Sequence, residues 1–545
     1  MNARVLPLVF VMAAATVAAQ STVSPDVALT HTPYPNGQST GLGAQIDSLL
    51  AQPSVARAHW GIAVTELDGT PIYGHDEGKV FRPASNNKLF TTAAAMELLK
   101  PETTLSTHAW FTLTPADQGE VKGDITLVGA GDANFSDTDF PYRNAAQRKA
   151  AAAGQPIAEP DPLRYFDELA QKIAAQGVKR VDGNILGDDT AWVWEPYPES
   201  WGVDDLTWGY GAPVSALTAE DNELEIHVTA GARAGDPATF TLKPDLGYYK
   251  TEFSVLTVEK GAQNAYDVAR DPGSHTLRVY GTIAVGGEDT SHLAIDDPAQ
   301  FSALALKQAL EAHGITVAGK AEARHQRLND ASSSYRASHE PITTWVTNLP
   351  VEQNRAFGVV TVAHTSPTVA DDVDYTLKVS QNMHAESFLR RLGAMYGKPS
   401  HDGDNSTSAQ GLRVVRQFLV NAGVDGDDFA LFDGSGLSDH DLVAPRAFAQ
   451  LLAYAQKRPW FQPWFEGLPV GGEDGTLRSR FAKAPLKDHV FAKTGTLGES
   501  RALSGYLDCA SGKRVIFSIM VDDHMPGGAD AAAMDKIVAA IAAAE

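Results

Sequence analysis

The hydrophobic pattern changes period several times along the chain. Near the start, GAQIDSLLA has helical spacing. AHWGIAVTELDGTPIYGHDE then alternates, with Asp68-Gly69 between two β-like runs, which predicts a hairpin. FRPASNNKLFTTAAAMELL returns to helical spacing through Leu89, Phe90, Ala93, Ala94 and Leu98. LRYFDELAQKIAAQGVKRVDGNILGDD reads as helix, glycine stop, strand, and PAQFSALALKQALEAHGITVAGKAEAR repeats that order. One such pair is thin support for an internal repeat. Between them, 190–280 is rich in Pro and Gly, with short β runs such as ELEIHVTAG and TLRVYGTIAV. DYTLKVSQNMHAESFLRRLGAMYG and SAQGLRVVRQFLVNAG are helical again. HVFAKTGTLGE, ALSGYLDCA and KRVIFSIMVDD predict a β meander, and AAAMDKIVAAIAAA closes the chain as a helix.

An early hairpin, a late meander and a helix at each end suggest one antiparallel sheet built from both chain ends. The middle is then an insertion. The expected division is a signal peptide at 1–19 and a flexible leader at 20–42. A main domain would come from 43–100 with 356–545. One inserted domain would come from 101–189 with 281–325, and a second, β-rich one from 190–280. A polar linker would run over 326–355.

The bulk composition narrows the function. The chain has 545 residues, 43% hydrophobic and 20% charged, as a globular protein of about two to four domains would. A formal net charge of −23 disfavours nucleic acid and anionic membranes as partners. MNARVLPLVFVMAAATVAAQS has a positive start, an apolar run and a small-residue cleavage site after Ala19. It predicts export across the inner membrane to a periplasmic or other extracytoplasmic location. No cysteine follows the cleavage site, which argues against a lipoprotein anchor, and no later segment predicts a membrane span. Cys509 is the only cysteine, so no disulfide can form within the chain. It lies where a strand runs into a hairpin turn, which favours a packing role over a catalytic thiol. The 16 histidines lack metal-ligand spacing, and G-x-S-x-G, H-E-x-x-H, Walker A and G-x-G-x-x-G are all absent. No cofactor is expected.

Three short motifs could carry chemistry. Ser85 and Lys88 lie three residues apart on one helical face, with Ser85 at the helix start. A serine needs an adjacent base to become a nucleophile, and a lysine is a base only when its pKa is lowered. Taken alone, S-x-x-K is more often a helix cap beside a solvated lysine. Lys493-Thr494-Gly495-Thr496 sits on a strand, where two hydroxyls beside a lysine suit a carboxylate and Gly495 permits close approach to the backbone. Its plainer meaning is a polar edge strand with a glycine bulge. Ser380-Gln381-Asn382 is weak by itself, and Ser85-Asn86-Asn87 matches the same pattern.

In the order S-x-x-K, S-x-N, K-T-G these motifs resemble those of penicillin-binding proteins and serine β-lactamases. Ser85 and Ser380 are 295 positions apart, far too many for a compact β-lactamase. The spacing is similar to that of class C low-molecular-mass penicillin-binding proteins, the DacB-type D-Ala-D-Ala carboxypeptidase/endopeptidase family. PASNNKLFTTAAA, GDITLVGAGD, YGAPVSALTAEDNEL, SQNMHAESFLRRLG, DGSGLSDHDLVAP, LPVGGEDGTLRSR and AKTGTLGESRALSGYL all look like that family's blocks, over about 59–521.

The resemblance implies an α/β fold: a five-stranded antiparallel sheet flanked by helices, with a large insertion. It also implies roles. Lys88 takes the Ser85 proton, and Ser85 attacks the carbonyl between two D-alanines of a peptidoglycan stem peptide. Backbone N–H groups of Ser85 and Thr496 hold the oxyanion. Ser380 and Lys493 pass the proton to the leaving group, Asn382 holds the substrate amide, and Thr494 and Thr496 bind the terminal carboxylate. β-Lactams would acylate the same serine. Asp205 and Tyr210, with Trp201 as a weaker candidate, fall where relatives hold the free end of a diaminopimelate side chain. Many relatives carry Arg after G-L-S, but here that position is Asp439, which cannot pair with a carboxylate. The expectation is an altered side-chain contact, or a substrate end that is amidated or cationic, unless His440, Arg446 or another base takes the place of that Arg. A β-lactamase and a weakly catalytic penicillin or peptidoglycan sensor are the competing functions.

Overall fold

The computed structural model describes residues 32–35, 41–152, 154, 160–328, 342, 358–398 and 406–545. The expected signal peptide, most of the leader and nearly all of the 326–355 linker lie outside these residues. From Tyr34 to Glu545 the described chain is one unit.

Helix α1, Gly41–Leu50, precedes the hairpin of β1, His59–Glu66, and β2, Pro71–His75. Gly69 turns it at φ 94°, and Asp68 Oδ1 accepts the Thr70 N–H at 2.9 Å. Helix α2, Lys88–Leu98, follows a 3-10 turn over Ala84–Asn87.

The inserted strands and helices come next. β3 is Ser106–Thr112, β4 Ile125–Val128, α3 Arg164–Ala175 and β5 Ile185–Val193. β6, Glu223–Thr229, β7, Thr239–Lys243, β8, Lys250–Val258, β9, Ala265–Ala269, β10, Thr276–Ala284, and β11, Glu288–Ala294, form two three-stranded sheets. α4, Pro298–Ala312, β12, Ala321–Gln326, and β13, Val359–Thr365, complete the region. The C-terminal part contains α5, Val369–Val379, α6, Asn382–Tyr396, α7, Pro445–Ala455, the strands β14, Val490–Leu497, β15, Ser500–Asp508, and β16, Arg514–Asp522, and α8, Asp530–Ala544.

Both chain ends build one sheet, in the order β14-β15-β16-β1-β2 and antiparallel throughout. Its central strands are buried on both faces, which is why HWGIAVTE reads as nearly continuous apolar sequence. One face packs on α1 and α8 through Ile46, Ile537 and Ile541, and the other on α2, α6 and α7 through Phe90, Phe388 and Phe448. Every residue of α2 from Lys88 to Met96 is buried. A helix enclosed all round cannot be amphipathic, so the run of small Thr and Ala side chains lets its neighbours close in. Cys509 is buried at the β15–β16 turn, and burial pushes its thiol up to about 11, away from thiolate chemistry.

In the insertion, a second five-stranded sheet runs β12-β5-β4-β3-β13. The two helix–glycine–strand segments lie side by side in it, with β12 parallel to β5 in the register Ala321↔Ile185. Two boundaries differ from the sequence expectation. β10 crosses position 280 and β11 pairs with β6, so the β-rich stretch runs on to Ala294. β13 pairs with β3, so the chain rejoins the main sheet's helices only at α5. Strand pairing sets these edges, and it leaves no trace in local composition. Among the described residues no helix is long and apolar enough to cross a membrane, and no His, Cys, Asp and Glu cluster could hold a metal ion.

Candidate active site

Ser85 sits half-buried in the 3-10 turn that leads into α2. The two asparagines after it fix that turn. The Asn86 side chain reaches Ser504 Oγ on β15 at 2.7 Å and, with its amide set to satisfy both ends, donates to the Lys493 carbonyl at 2.8 Å. Asn87 Nδ2 donates to the Asp433 carbonyl at 2.9 Å and to Asp441 Oδ2 at 3.2 Å. One asparagine thus ties the serine turn to β14, and the other ties it to the 433–441 loop.

Lys88 is fully buried, with Nζ 2.9 Å from Ser85 Oγ, 2.5 Å from Asn382 Oδ1 and 2.8 Å from the Ser435 carbonyl. As an ammonium, Nζ donates to all three oxygens; once deprotonated, it can keep the Asn382 and Ser435 bonds and turn its lone pair to the Ser85 O–H. Burial pulls the Lys88 pKa down to about 7, against the opposing pull of Asp433, Glu386 and Asp441. The neutral base therefore gains population as pH rises through about 7. The rate of Ser85 acylation by penicillin should fall about tenfold per pH unit below that value. A rate flat from pH 5 to 8, measured by stopped flow, would contradict this.

The second lysine faces the second serine. Lys493 Nζ donates to Ser380 Oγ at 2.8 Å and to the Thr494 carbonyl at 2.9 Å. Burial holds its pKa well below the usual lysine value, and the Lys88 charge pushes the same way. Ser380 ends α5 in the left-handed conformation, φ 68°, and Asn382 opens α6. Asn382 bridges the two halves of the site, accepting from Lys88 and donating through Nδ2 to the Tyr210 carbonyl at 2.8 Å. Ser85, Asp205, Tyr210, Ser380, Asn382 and Thr496 line one cavity of about 380 Å³. Tyr210 donates to Asp205 Oδ1 at 3.0 Å, and burial raises the Asp205 pKa while Asp204 and Asp439 add to the rise.

Several expected residues have other neighbours. Thr496 is exposed to the cavity, but the Thr494 hydroxyl bonds to Thr476 Oγ1 at 2.7 Å. Gly495 leaves room for the protein's own serine turn, because a Cβ there would lie 2.6 Å from the Pro83 carbonyl oxygen. Trp201 is only 9% exposed, and its indole N–H donates to Asp433 Oδ2 at 2.9 Å, so it braces a loop. Asp439 is exposed. Arg446, a possible replacement for the missing Arg, is held by Asp428 in two 2.7 Å bonds, and His440 lies 3.9 Å from Glu199.

Three residues escaped the sequence reading: Thr476, Ser435 and Asp433. Asp433 accepts the N–H groups of Ser435, Gly436, Leu437 and Ser438 at 2.6–3.0 Å, and this wraps the loop that aims the Ser435 carbonyl at Lys88. For Asp433 and Ser435 the D-G-S-G-L-S block carried the signal, an acid followed by small turn residues, and Thr476 lies in the block LPVGGEDGTLRSR.

This arrangement can activate a hydroxyl nucleophile with a neutral amine and relay a proton through a second Ser–Lys pair. The protein-family model for D-Ala-D-Ala carboxypeptidase 3 (S13) matches residues 42–354 and 342–544. The chain is 30% identical to a D-alanyl-D-alanine carboxypeptidase of Actinomadura sp. (strain R39), over 92% of this chain and 85% of that protein. It is 23% identical to D-alanyl-D-alanine carboxypeptidase DacB of Haemophilus influenzae, over 86% of both. The crystal structure of penicillin binding protein 4 (dacB) from H. influenzae matches with a TM-score of 0.70 at 19% identity, covering 92% of this chain and 98% of that one, and so shares its fold. The same protein complexed with a β-lactam matches with a TM-score of 0.64 at 19% identity, over 91% and 97%. With the family model covering nearly the whole described chain, this protein belongs to the D-Ala-D-Ala carboxypeptidase 3 (S13) family.

Proposed function

We propose that this enzyme hydrolyses the D-Ala-D-Ala bond of peptidoglycan stem peptides through an acyl-enzyme on Ser85. The observation that carries this reading is the pair of Ser–Lys contacts, Lys88–Ser85 at 2.9 Å and Lys493–Ser380 at 2.8 Å, joined through Asn382. Lys88 accepts the Ser85 proton as Oγ attacks the carbonyl carbon. The N–H groups of Ser85 and Thr496 stabilise the oxyanion. Ser380 then gives its proton to the departing amine and recovers one from Lys493. The Thr496 hydroxyl, with Thr494 behind it, receives the terminal carboxylate. Water then attacks the acyl carbonyl: its proton passes through Ser380 to the deprotonated Lys493, and Lys88 returns the proton it took to Ser85 Oγ as the acyl group leaves, so both lysines end as they began. A β-lactam would acylate Ser85 in the same way.

We read 101–365 as an insertion into the catalytic fold, and the N-terminal signal pattern as export to an extracytoplasmic compartment. Hydrolysis of a D-Ala-D-Ala peptide, with Ser85→Ala as control, tests the activity. Rapid nitrocefin turnover without peptide release would favour a β-lactamase. Penicillin labelling with neither turnover would favour a sensor.

The substrate's side-chain end meets carboxylates. Asp204 and Asp439 both act on Asp205, and Arg446 is engaged elsewhere. Such a site favours an amidated or cationic end over a free acid. Amidated stem peptides should exceed free-acid ones in kcat/KM by about tenfold, on the order of 1.4 kcal/mol. A clear preference for the free acid would refute the idea.

A further inference from the structure

Residues from three sequence blocks, none of them given a part in the reaction above, meet behind the Ser380 turn. GDITLVGAGD brings Gly131 and Asp132, TAEDNEL brings Asp221, and SQNMHAESFLRRLG brings His384 and Arg391. His384 has no exposed surface and lies two residues beyond Asn382 on α6. Its Nδ1 is 2.6 Å from Asp372 Oδ1 on α5, and its Nε2 is 3.1 Å from Asp221 Oδ1 in the insertion. Each ring nitrogen faces a carboxylate, so each carries a proton and the ring is a cation. Burial alone would lower its pKa, but the two carboxylates outweigh that and raise it to about 10.

Asp221 is held in place with care. It sits at φ 52°, between Glu220 at 49° and Asn222 at 59°, three successive non-glycine residues in left-handed backbone. Such backbone costs about 1–3 kcal/mol per residue and persists only where its surroundings impose it. Asn222 imposes it here, donating to the Pro213 carbonyl at 2.8 Å and accepting from the Ala219 N–H at 3.1 Å. The other Asp221 oxygen accepts from Tyr375 Oη at 3.0 Å and from Gln381 Nε2 at 3.2 Å. Gln381 is the middle residue of Ser380-Gln381-Asn382. Arg391 closes the cluster, donating to the Gly131 carbonyl at 3.0 Å and lying 3.8 Å from Asp372.

We propose that Asp221 and His384 are positioning residues for catalysis: the insertion's carboxylate, through the His384 cation and Gln381, sets the turn that points Ser380 at Lys493 and Asn382 at Lys88. This rests on the roles given above to Ser380 and Asn382. On this view the insertion is part of the catalytic apparatus, because removing its Asp221 leaves a buried cation short of one partner beside the relay.

A mutant cycle tests it. Asp221→Asn should slow acylation by penicillin and lower kcat for the peptide about 100-fold, with KM nearly unchanged. In a Ser380→Ala/Asn382→Ala background the same change should cost under about fivefold, because both groups it positions are already gone. Equal losses in both backgrounds, or no loss in the single variant, would overturn the proposal. If Asp221→Asn does not fold, Tyr375→Phe removes one hydroxyl from Asp221 and should give a severalfold loss with the same non-additivity. An additive loss, or none, would count against the proposal equally. Wild-type protein inert to both penicillin and peptide would remove the functional reading itself, whereas normal wild-type turnover with additive losses removes only the positioning role.

Discussion

Lys88→Arg should abolish acylation of Ser85. The substitution keeps a cation next to the serine, but a guanidinium stays protonated at every accessible pH and cannot accept the hydroxyl proton. In the wild type, burial brings Lys88 to about 7, so near neutral pH a large fraction is the free amine. Losing the general base should cost about a thousandfold or more in the rate of penicillin acylation, and peptide hydrolysis should fall with it. The measurement is single-turnover labelling by fluorescent penicillin, with the unfolding midpoint recorded to show that the variant is folded. Labelling at close to the wild-type rate would mean that another group activates Ser85.

Asp433→Ala should have the second largest effect, and it acts on stability and activity together. Asp433 is buried and gathers four successive backbone N–H groups, the Ser435 hydroxyl and the Trp201 indole. Each buried donor left without a partner costs about 1–3 kcal/mol. With partial relaxation and water entry, a total loss of about 3–5 kcal/mol is expected in denaturant unfolding. The Ser435 carbonyl would lose its aim, and with it one of the acceptors that orient Lys88. Acylation should drop about 100-fold even in the folded fraction. A variant with wild-type stability and wild-type acylation would show that the loop holds its shape without the carboxylate.

Much of the site could be read in the chain. Ser85, Lys88, Ser380, Asn382 and Lys493 lie together in the fold, but only the Ser85–Lys88 pair is local; Lys493 reaches Ser380 across 113 positions and Lys88 reaches Asn382 across 294. An i, i+3 pair on a helical turn places an amine on a hydroxyl with no help from elsewhere. The hairpin at Asp68-Gly69 and the late meander were legible for the same reason, since turn chemistry and alternation are local. Thr494 and Gly495 were legible only as motif members. Alternation along a strand does not reveal that Thr476 caps one hydroxyl, or that a serine turn passes over the glycine. Trp201 looked like a substrate contact because it is aromatic and lies near Asp205 in sequence. Its indole N–H donates to the buried Asp433 carboxylate, as a buried N–H needs a partner.

The sequence by itself marked the groups on which the proposed chemistry rests: a serine with a lysine three residues on, a Ser-x-Asn motif, and a Lys-Thr-Gly-Thr strand, in an order shared by penicillin-binding proteins and serine β-lactamases. It also determined that both chain ends share a sheet. Only the tertiary structure decided what makes these groups work. The low pKa of Lys88 comes from complete burial among side chains drawn from widely separated parts of the chain. The Ser435 carbonyl meets Lys88 across 347 positions, and the cation behind Asn382 is clamped by Asp221 from 163 positions away. Burial, field and long-range hydrogen bonds depend on which residues become neighbours, and in a chain this long most such neighbours are hundreds of positions apart.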